Sequence, residues 1–271
     1  MLSWVDGRPA QAASLTDRGL AYGDGLFETI GIKGGQPQLF DRHLARLAEG
    51  CQRLSIPADL ALIRAELLAF AAEVGEGVAK LMLTRGDGLR GYAAPASATA
   101  RRILLASPFP AYAAANAEQG VRLFPCATRL AEQPLLAGLK HLNRLEQVLA
   151  RGEWRDSDHA EGLMLDVSGR VIEGVFSNLF IVRDGQLITP ELDRCGVAGV
   201  MRAELLAQAK TLAIPLSIQP LSLEQLLAAD EVFVCNSLYG VWPVTALQGH
   251  RWPVGPLTRK LQSIARDLLD C

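Results

Sequence analysis

Apolar and polar positions along the chain repeat with two different periods. Beginning at Asp41, the residues Leu44, Leu47, Ala48, Cys51 and Leu54 recur at helical spacing, which predicts one amphipathic helix with Asp41 as its N-cap. A second helix is predicted from about Asp59 to Val74. The runs VAKLMLT (78–84) and RILLASPF (102–109) read as strands, separated by the loop RGDGLRGYAAPASA. Upstream, GLAYGDGLFETIGIK (19–33) interrupts β-type residues with glycines and predicts a bent strand that passes close to another group.

Beyond residue 120 the alternation continues. VRLFPCAT is strand-like, LNRLEQVLARGEW is helical, and DVSGRVIEGVFSNLFIVRDGQLITP breaks into short strands with turns at Ser168-Gly169 and Asp184-Gly185. Helices are predicted near 199–213, 223–229 and 256–269, around the strands EVFVCNS and VWPVTALQ. Between the halves, AYAAANAEQG (111–120) lacks the apolar bulk of a core element and is the best linker candidate. The expected fold class is therefore α/β in the mixed α+β sense, with a smaller domain over 1–110, a linker over 111–120 and a larger domain over 121–271.

Composition narrows the function classes. A chain of 271 residues suits one large or two modest domains. With 27 Lys+Arg against 29 Asp+Glu the net charge is -2, which supplies no overall attraction for nucleic acid. Five scattered cysteines (Cys51, Cys126, Cys195, Cys235 and Cys271) form no CxxC pair, and the four histidines show no HxxxH spacing, so no disulfide framework and no metal site is expected. No basic segment followed by an apolar run opens the chain, and no stretch of about 18 uncharged apolar residues occurs. A cytoplasmic protein with no membrane partner is the expectation.

Lys140, in LLAGLKHLNRLEQVLA, follows a small apolar segment. At the rim of a core its amine would tend to the neutral, nucleophilic form; on an open face it would be an ordinary solvated lysine. The residues alone leave both readings open. The string KHLNRLEQV (140–148), followed by Glu173 in EGVFSNLF, resembles the fold type IV pyridoxal-phosphate enzymes. GDGLFET (23–29), HLARL (43–47), RGDGLRGY (85–92), GVAGVMR (196–202) and ADEVFVCNS (229–237) fall in that family's order. Within the family the resemblance is strongest to the lyases that act on 4-amino-4-deoxychorismate.

The resemblance implies a two-domain architecture with pyridoxal 5'-phosphate between the domains. It implies that Lys140 holds the cofactor and then serves as the catalytic base, that Glu173 faces the pyridine nitrogen, and that Arg46 takes the phosphate. The amides of Val197 and Ala198, and the turn at Asn236 and Ser237, are implied as further phosphate contacts. Ala198 stands where relatives carry a polar side chain, so only its amide carries over. Thr29 is implied as a second catalytic group that orients substrate or a proton; otherwise it is a β-branched strand residue.

For the substrate, Arg85, Arg90 and Tyr92 in the glycine-rich loop and Asn143 after the lysine are candidates to bind two carboxylates, since arginine forks grip carboxylates bidentately. The loop reads equally well as an exposed hairpin. The implied reaction forms 4-aminobenzoate and pyruvate for folate biosynthesis, in a homodimer. Branched-chain aminotransferases carry a tyrosine near the point where this chain has Leu145 and Glu146, which favours the lyase branch. The alternatives are a D-amino acid or branched-chain aminotransferase, and a noncatalytic binding protein on the same fold.

Overall fold

The computed structural model describes residues 2–88 and 90–270, which leaves Cys271 outside the described residues. The chain divides into two compact units. One takes the residues up to Pro110 together with Leu139–Asn143, and the other takes Ala111–Gly138 and everything from Arg144 onward.

The first unit runs β1 (Ser3–Val5), β2 (Arg8–Pro9), α1 (Arg18–Tyr22), β3 (Gly25–Lys33), β4 (Gln36–Pro37), α2 (Phe40–Leu54), α3 (Leu60–Val74), β5 (Gly77–Thr84) and β6 (Arg101–Ser107). Its strands form one sheet in the order β2-β1-β6-β5-β3-β4, with every pairing antiparallel. Strand alternation sends Leu26, Ile30 and Ile32 of β3 into a core with Leu44 and Leu47 of α2 and Ile63, Leu67 and Phe70 of α3. Each such side chain contributes about 1.5–3 kcal/mol when fully buried, so the two helices are held on this face of the sheet.

Two helix starts differ from the sequence expectation. The residues ahead of β3 do not continue a bent strand: Asp17 accepts a hydrogen bond from the Gly19 amide and starts α1, and Gly23, at φ 66°, ends it in the left-handed conformation. Helix α2 begins before Asp41, because Leu39 turns the chain at φ 51° and no side chain caps it. Asp41 lies in the first turn instead and pairs with Arg64. Helix α3 starts after Asp59, whose carboxylate accepts from the Ala61 and Leu62 amides.

The second unit contains α4 (Ala114–Glu118), β7 (Val121–Leu130), α5 (Leu145–Arg151), β8 (His159–Asp166), β9 (Arg170–Gly174), β10 (Asn178–Arg183), β11 (Gln186–Pro190), α6 (Val200–Thr211), β12 (Leu216–Gln219), β13 (Leu221–Ser222), α7 (Leu223–Leu227), β14 (Glu231–Asn236), β15 (Gly240–Leu247), β16 (His250–Arg251) and α8 (Pro256–Asp270). The stretch read as a linker thus holds a short helix and belongs to this unit. The strands follow the order β12-β11-β10-β14-β15-β7-β8-β9-β13, and β9 also pairs with β10. That extra pairing closes β10-β14-β15-β7-β8-β9 into a barrel, filled by Val121, Leu123, Leu163, Val171, Leu179, Val234 and Trp242 among others. The closing contact is Asn178 opposite Glu173. Among the described residues, no helix is long and apolar enough to cross a membrane.

Candidate active site

Lys140 was expected in the larger domain, but it groups with the first unit because its backbone pairs with the start of β3. The Phe27 amide donates to the Lys140 carbonyl at 2.9 Å, the Leu142 amide donates to the Gly25 carbonyl at 3.0 Å, and Leu26 and His141 form an antiparallel bridge. This register sets the Lys140 Nζ 4.3 Å from the centre of the Phe27 ring, within cation–π range. Phe27 and Thr29 are two residues apart on β3, so they share the face turned away from the helices. The structure therefore brings Lys140 and Thr29 to one surface. Lys80, opposite Thr29 on β5, places its Nζ 5.4 Å from the same ring. The sequence reading passed over Lys80, although a lone charge inside the apolar strand VAKLMLT marks it.

On the opposite face of β3, Glu28 gathers His43 and Arg46 of α2. Arg46 donates from Nε to Glu28 Oε1 at 2.8 Å and from Nη2 to Oε2, and His43 Nδ1 lies 2.6 Å from Oε2. Burial alone would raise the Glu28 carboxyl, but Arg46 and His43 outweigh it and bring it down to about 2. Burial lowers His43, against the pull of Glu28, so the ring is neutral and its Nδ1 proton is donated to Glu28. The HLARL signal located Arg46; that its buried anchor would be Glu28, from a different element, was not visible in it.

The glycine-rich loop corrects one assignment. Arg85 cannot bind a substrate carboxylate as expected, because it is spent on structure: it grips Asp24 with Nε at 2.8 Å and Nη2 at 3.0 Å, and also donates to the Ser55 and Leu54 carbonyls at 2.7 and 2.8 Å. Arg18 holds the loop from below, donating to the Gly91, Tyr92 and Ala93 carbonyls. Arg90 is exposed, and the Tyr92 ring, 87% exposed, leans on Tyr22. Asn143 Nδ2 donates to the Gly23 carbonyl at 3.2 Å, which ties the lysine segment to the end of α1.

In the second unit Glu173 is buried at 4% exposure. Its Oε2 accepts from the Val197 amide at 2.8 Å and faces Asn178 Nδ2 at 3.5 Å. The Ala198 amide donates to the Gly138 carbonyl at 2.9 Å. Val197 and Ala198, expected to offer their N–H groups to a phosphate, are thus committed within the chain. Next along the chain, α6 starts at Val200 with no side chain capping it, and the first-turn amides of an α-helix lack internal acceptors. Arg202 anchors this helix from inside, donating to Thr189 Oγ1 and to the Pro190 carbonyl.

Asn236 serves its own turn. Its Oδ1 accepts from the Leu238 and Tyr239 amides at 2.9 and 3.0 Å, and its Nδ2 donates to the Phe176 carbonyl at 3.3 Å. It shapes the loop that carries Ser237. The Cys235 thiol, fully buried, is pushed up to about 12 and is inert.

The family model for amino-transferase class IV matches residues 25–247. The chain belongs to this family. Aminodeoxychorismate lyase of Vibrio harveyi is 39% identical over 266 residues, covering 96% of this chain and 97% of that protein. A crystal structure of 4-amino-4-deoxychorismate lyase from Pseudomonas aeruginosa superimposes with a TM-score of 0.98 at 67% identity, covering all of both chains. A crystal structure of the branched-chain amino acid aminotransferase of Escherichia coli superimposes with a TM-score of 0.87 at 26% identity, over 99% of this chain and 94% of the other.

Proposed function

We propose that this protein is a lyase that uses pyridoxal 5'-phosphate to convert 4-amino-4-deoxychorismate to 4-aminobenzoate and pyruvate, a supply step for folate biosynthesis. The observation that carries the reading is the full-length match, at 67% identity, to the Pseudomonas aeruginosa lyase. The aminotransferase alternative shares the fold at 26% identity in the Escherichia coli enzyme.

Each unit carries groups of the chemistry that the cofactor needs. In the first unit Lys140 offers a primary amine beside an aromatic ring and Arg46 a guanidinium; in the second, Glu173 offers a buried carboxylate for a ring N–H, and Ser237 and the first-turn amides of α6 offer O–H and N–H donors of the kind a phosphate dianion accepts. When bound, the cofactor would supply a sink for the electron pair released as the C–H bond next to the substrate nitrogen breaks.

The chain's own groups supply the rest. The Lys140 amine takes the proton from the ring carbon that bears nitrogen, the ring becomes aromatic as the C–O bond to the enolpyruvyl group breaks, and Lys140 returns the proton to the departing carbon fragment. Thr29, on the same strand face, orients the leaving group through its hydroxyl. Purified protein given the cofactor and 4-amino-4-deoxychorismate made in situ is expected to release 4-aminobenzoate, read by its fluorescence; absence of product contradicts the proposal.

Lys80 suits one of the two substrate carboxylates, since its ammonium group shares the Phe27–Thr29 face. Lys80→Ala is expected to raise KM about tenfold, the equivalent of about 1.4 kcal/mol, with a smaller change in kcat. An unchanged KM would remove Lys80 from the site.

A homodimer is proposed as well. Helix α5 leaves Leu145, Val148 and Leu149 exposed at 76%, 63% and 64%, an apolar stripe that a second copy would cover. Val148→Glu is expected to shift the mass measured by light scattering from dimer to monomer. A dimer that persists would place the interface elsewhere.

A further inference from the structure

Outside the groups described above, Glu161 and Asp166 of β8 are both carboxylates at 0% exposure, and Glu161 is the one that faces the cofactor-side turn. It meets the turn that directly follows Glu173. Oε1 accepts from the Gly162 amide at 2.8 Å and the Val175 amide at 2.9 Å. Oε2 accepts from Ser177 Oγ at 2.6 Å and, more weakly, from the Phe176 amide at 3.4 Å. Gly174 makes this approach possible, because a Cβ there would lie 2.3 Å from Ser177 Oγ and 2.8 Å from the Glu161 carboxyl carbon.

The turn gathered in this way has two ends that matter. One leads into Asn178, which closes the barrel opposite Glu173 and donates to the Val197 carbonyl at 2.8 Å. The other presents the Phe176 carbonyl to Asn236, whose Oδ1 shapes the loop of Ser237. We propose that Glu161 is a positioning residue for the cofactor, fixing through one turn both the strand end that aims Glu173 and the loop that carries Ser237. The inference rests on the pyridoxal-phosphate reading of the site.

The ionised form is the one suited to this task, since four donors point at two oxygens and a proton on either oxygen displaces one of them. The opposing effect is burial, which pushes the carboxyl up to about 7 despite the hydrogen bonds. The other titratable groups facing it are Tyr112, Tyr239 and Cys126, all raised by burial and by Glu161 itself and so uncharged near neutrality. Occupancy of the organising form therefore changes across pH 6–8, and Glu161→Gln imitates the protonated state.

The test titrates apoprotein with pyridoxal phosphate at pH 6 and pH 8, following the absorbance of bound cofactor, with the apoprotein Tm as a control for folding. The ratio of Kd for Glu161→Gln to Kd for wild type is expected to rise from about twofold at pH 6 to about tenfold at pH 8. Ser177→Ala, a milder change to the same cradle, is expected to weaken binding about threefold at pH 8 with an unaltered Tm, and it decides the matter should the glutamine variant not fold. A ratio that does not change with pH, or full affinity in Ser177→Ala, overturns the role of Glu161. A wild-type protein that takes up no cofactor overturns instead the reading on which the role rests.

Discussion

Replacing Lys140 with alanine is expected to lower the rate of pyruvate release about a thousandfold or more. The substitution removes both the amine that would hold the cofactor and the base that moves the proton, and general base catalysis alone is worth about 10²–10⁴. The fold should survive. The lysine sits half-buried and its contact with Phe27 is worth about 0.5–1 kcal/mol at such a site, while the register of its segment is set by backbone bonds that alanine retains. Borohydride treatment of wild type in the presence of pyridoxal phosphate should fix the cofactor to the peptide that contains Lys140, seen as a mass increase. Lys140→Ala should show no such increase. Equal labelling of the variant would place the reactive amine on another residue.

The second large effect falls on stability. Glu28→Ala leaves the Arg46 guanidinium, 12% exposed, and the buried His43 without their shared carboxylate. Removing one partner of a buried charged pair costs about 3–5 kcal/mol. For a chain of this size that corresponds to a fall in Tm of roughly 10 °C.

The pH dependence follows with a definite sign. The folded carboxyl sits at about 2, below its ordinary value of 4.5, so the stability it contributes is present above about pH 4.5 and is lost as pH falls towards 2. Thermal melts should show that acid loss in wild type and a flatter profile in Glu28→Ala, which has no Glu28 to titrate. A variant that melts with wild type at neutral pH would show that the cluster does not hold α2 to β3.

What the sequence disclosed depended on whether the information was local. Helix α3, with its Asp59 cap, and the strands β5 and β6 declared themselves through spacing and capping chemistry that act over a few residues. The start of α2 did not, because Leu39 takes a left-handed conformation that no side-chain preference of leucine announces. Lys140 and Glu173 stood out by motif. The commitments that decide what a residue has left to give were long-range and silent. Arg85 is held by Asp24, 61 positions away. Val197 spends its amide on Glu173, 24 positions away, and Lys140 pairs through its backbone with Phe27. Lys80 became a candidate only once strand pairing had set it opposite Thr29.

On the proposed reading the site breaks a carbon–oxygen bond and does not pass an amino group to a keto acid. The most direct test counts products from a known amount of 4-amino-4-deoxychorismate, with 2-oxoglutarate present as a competing acceptor. Pyruvate and 4-aminobenzoate are expected in a one-to-one ratio, with no loss of 2-oxoglutarate. Consumption of 2-oxoglutarate without 4-aminobenzoate would contradict it and identify a transaminase.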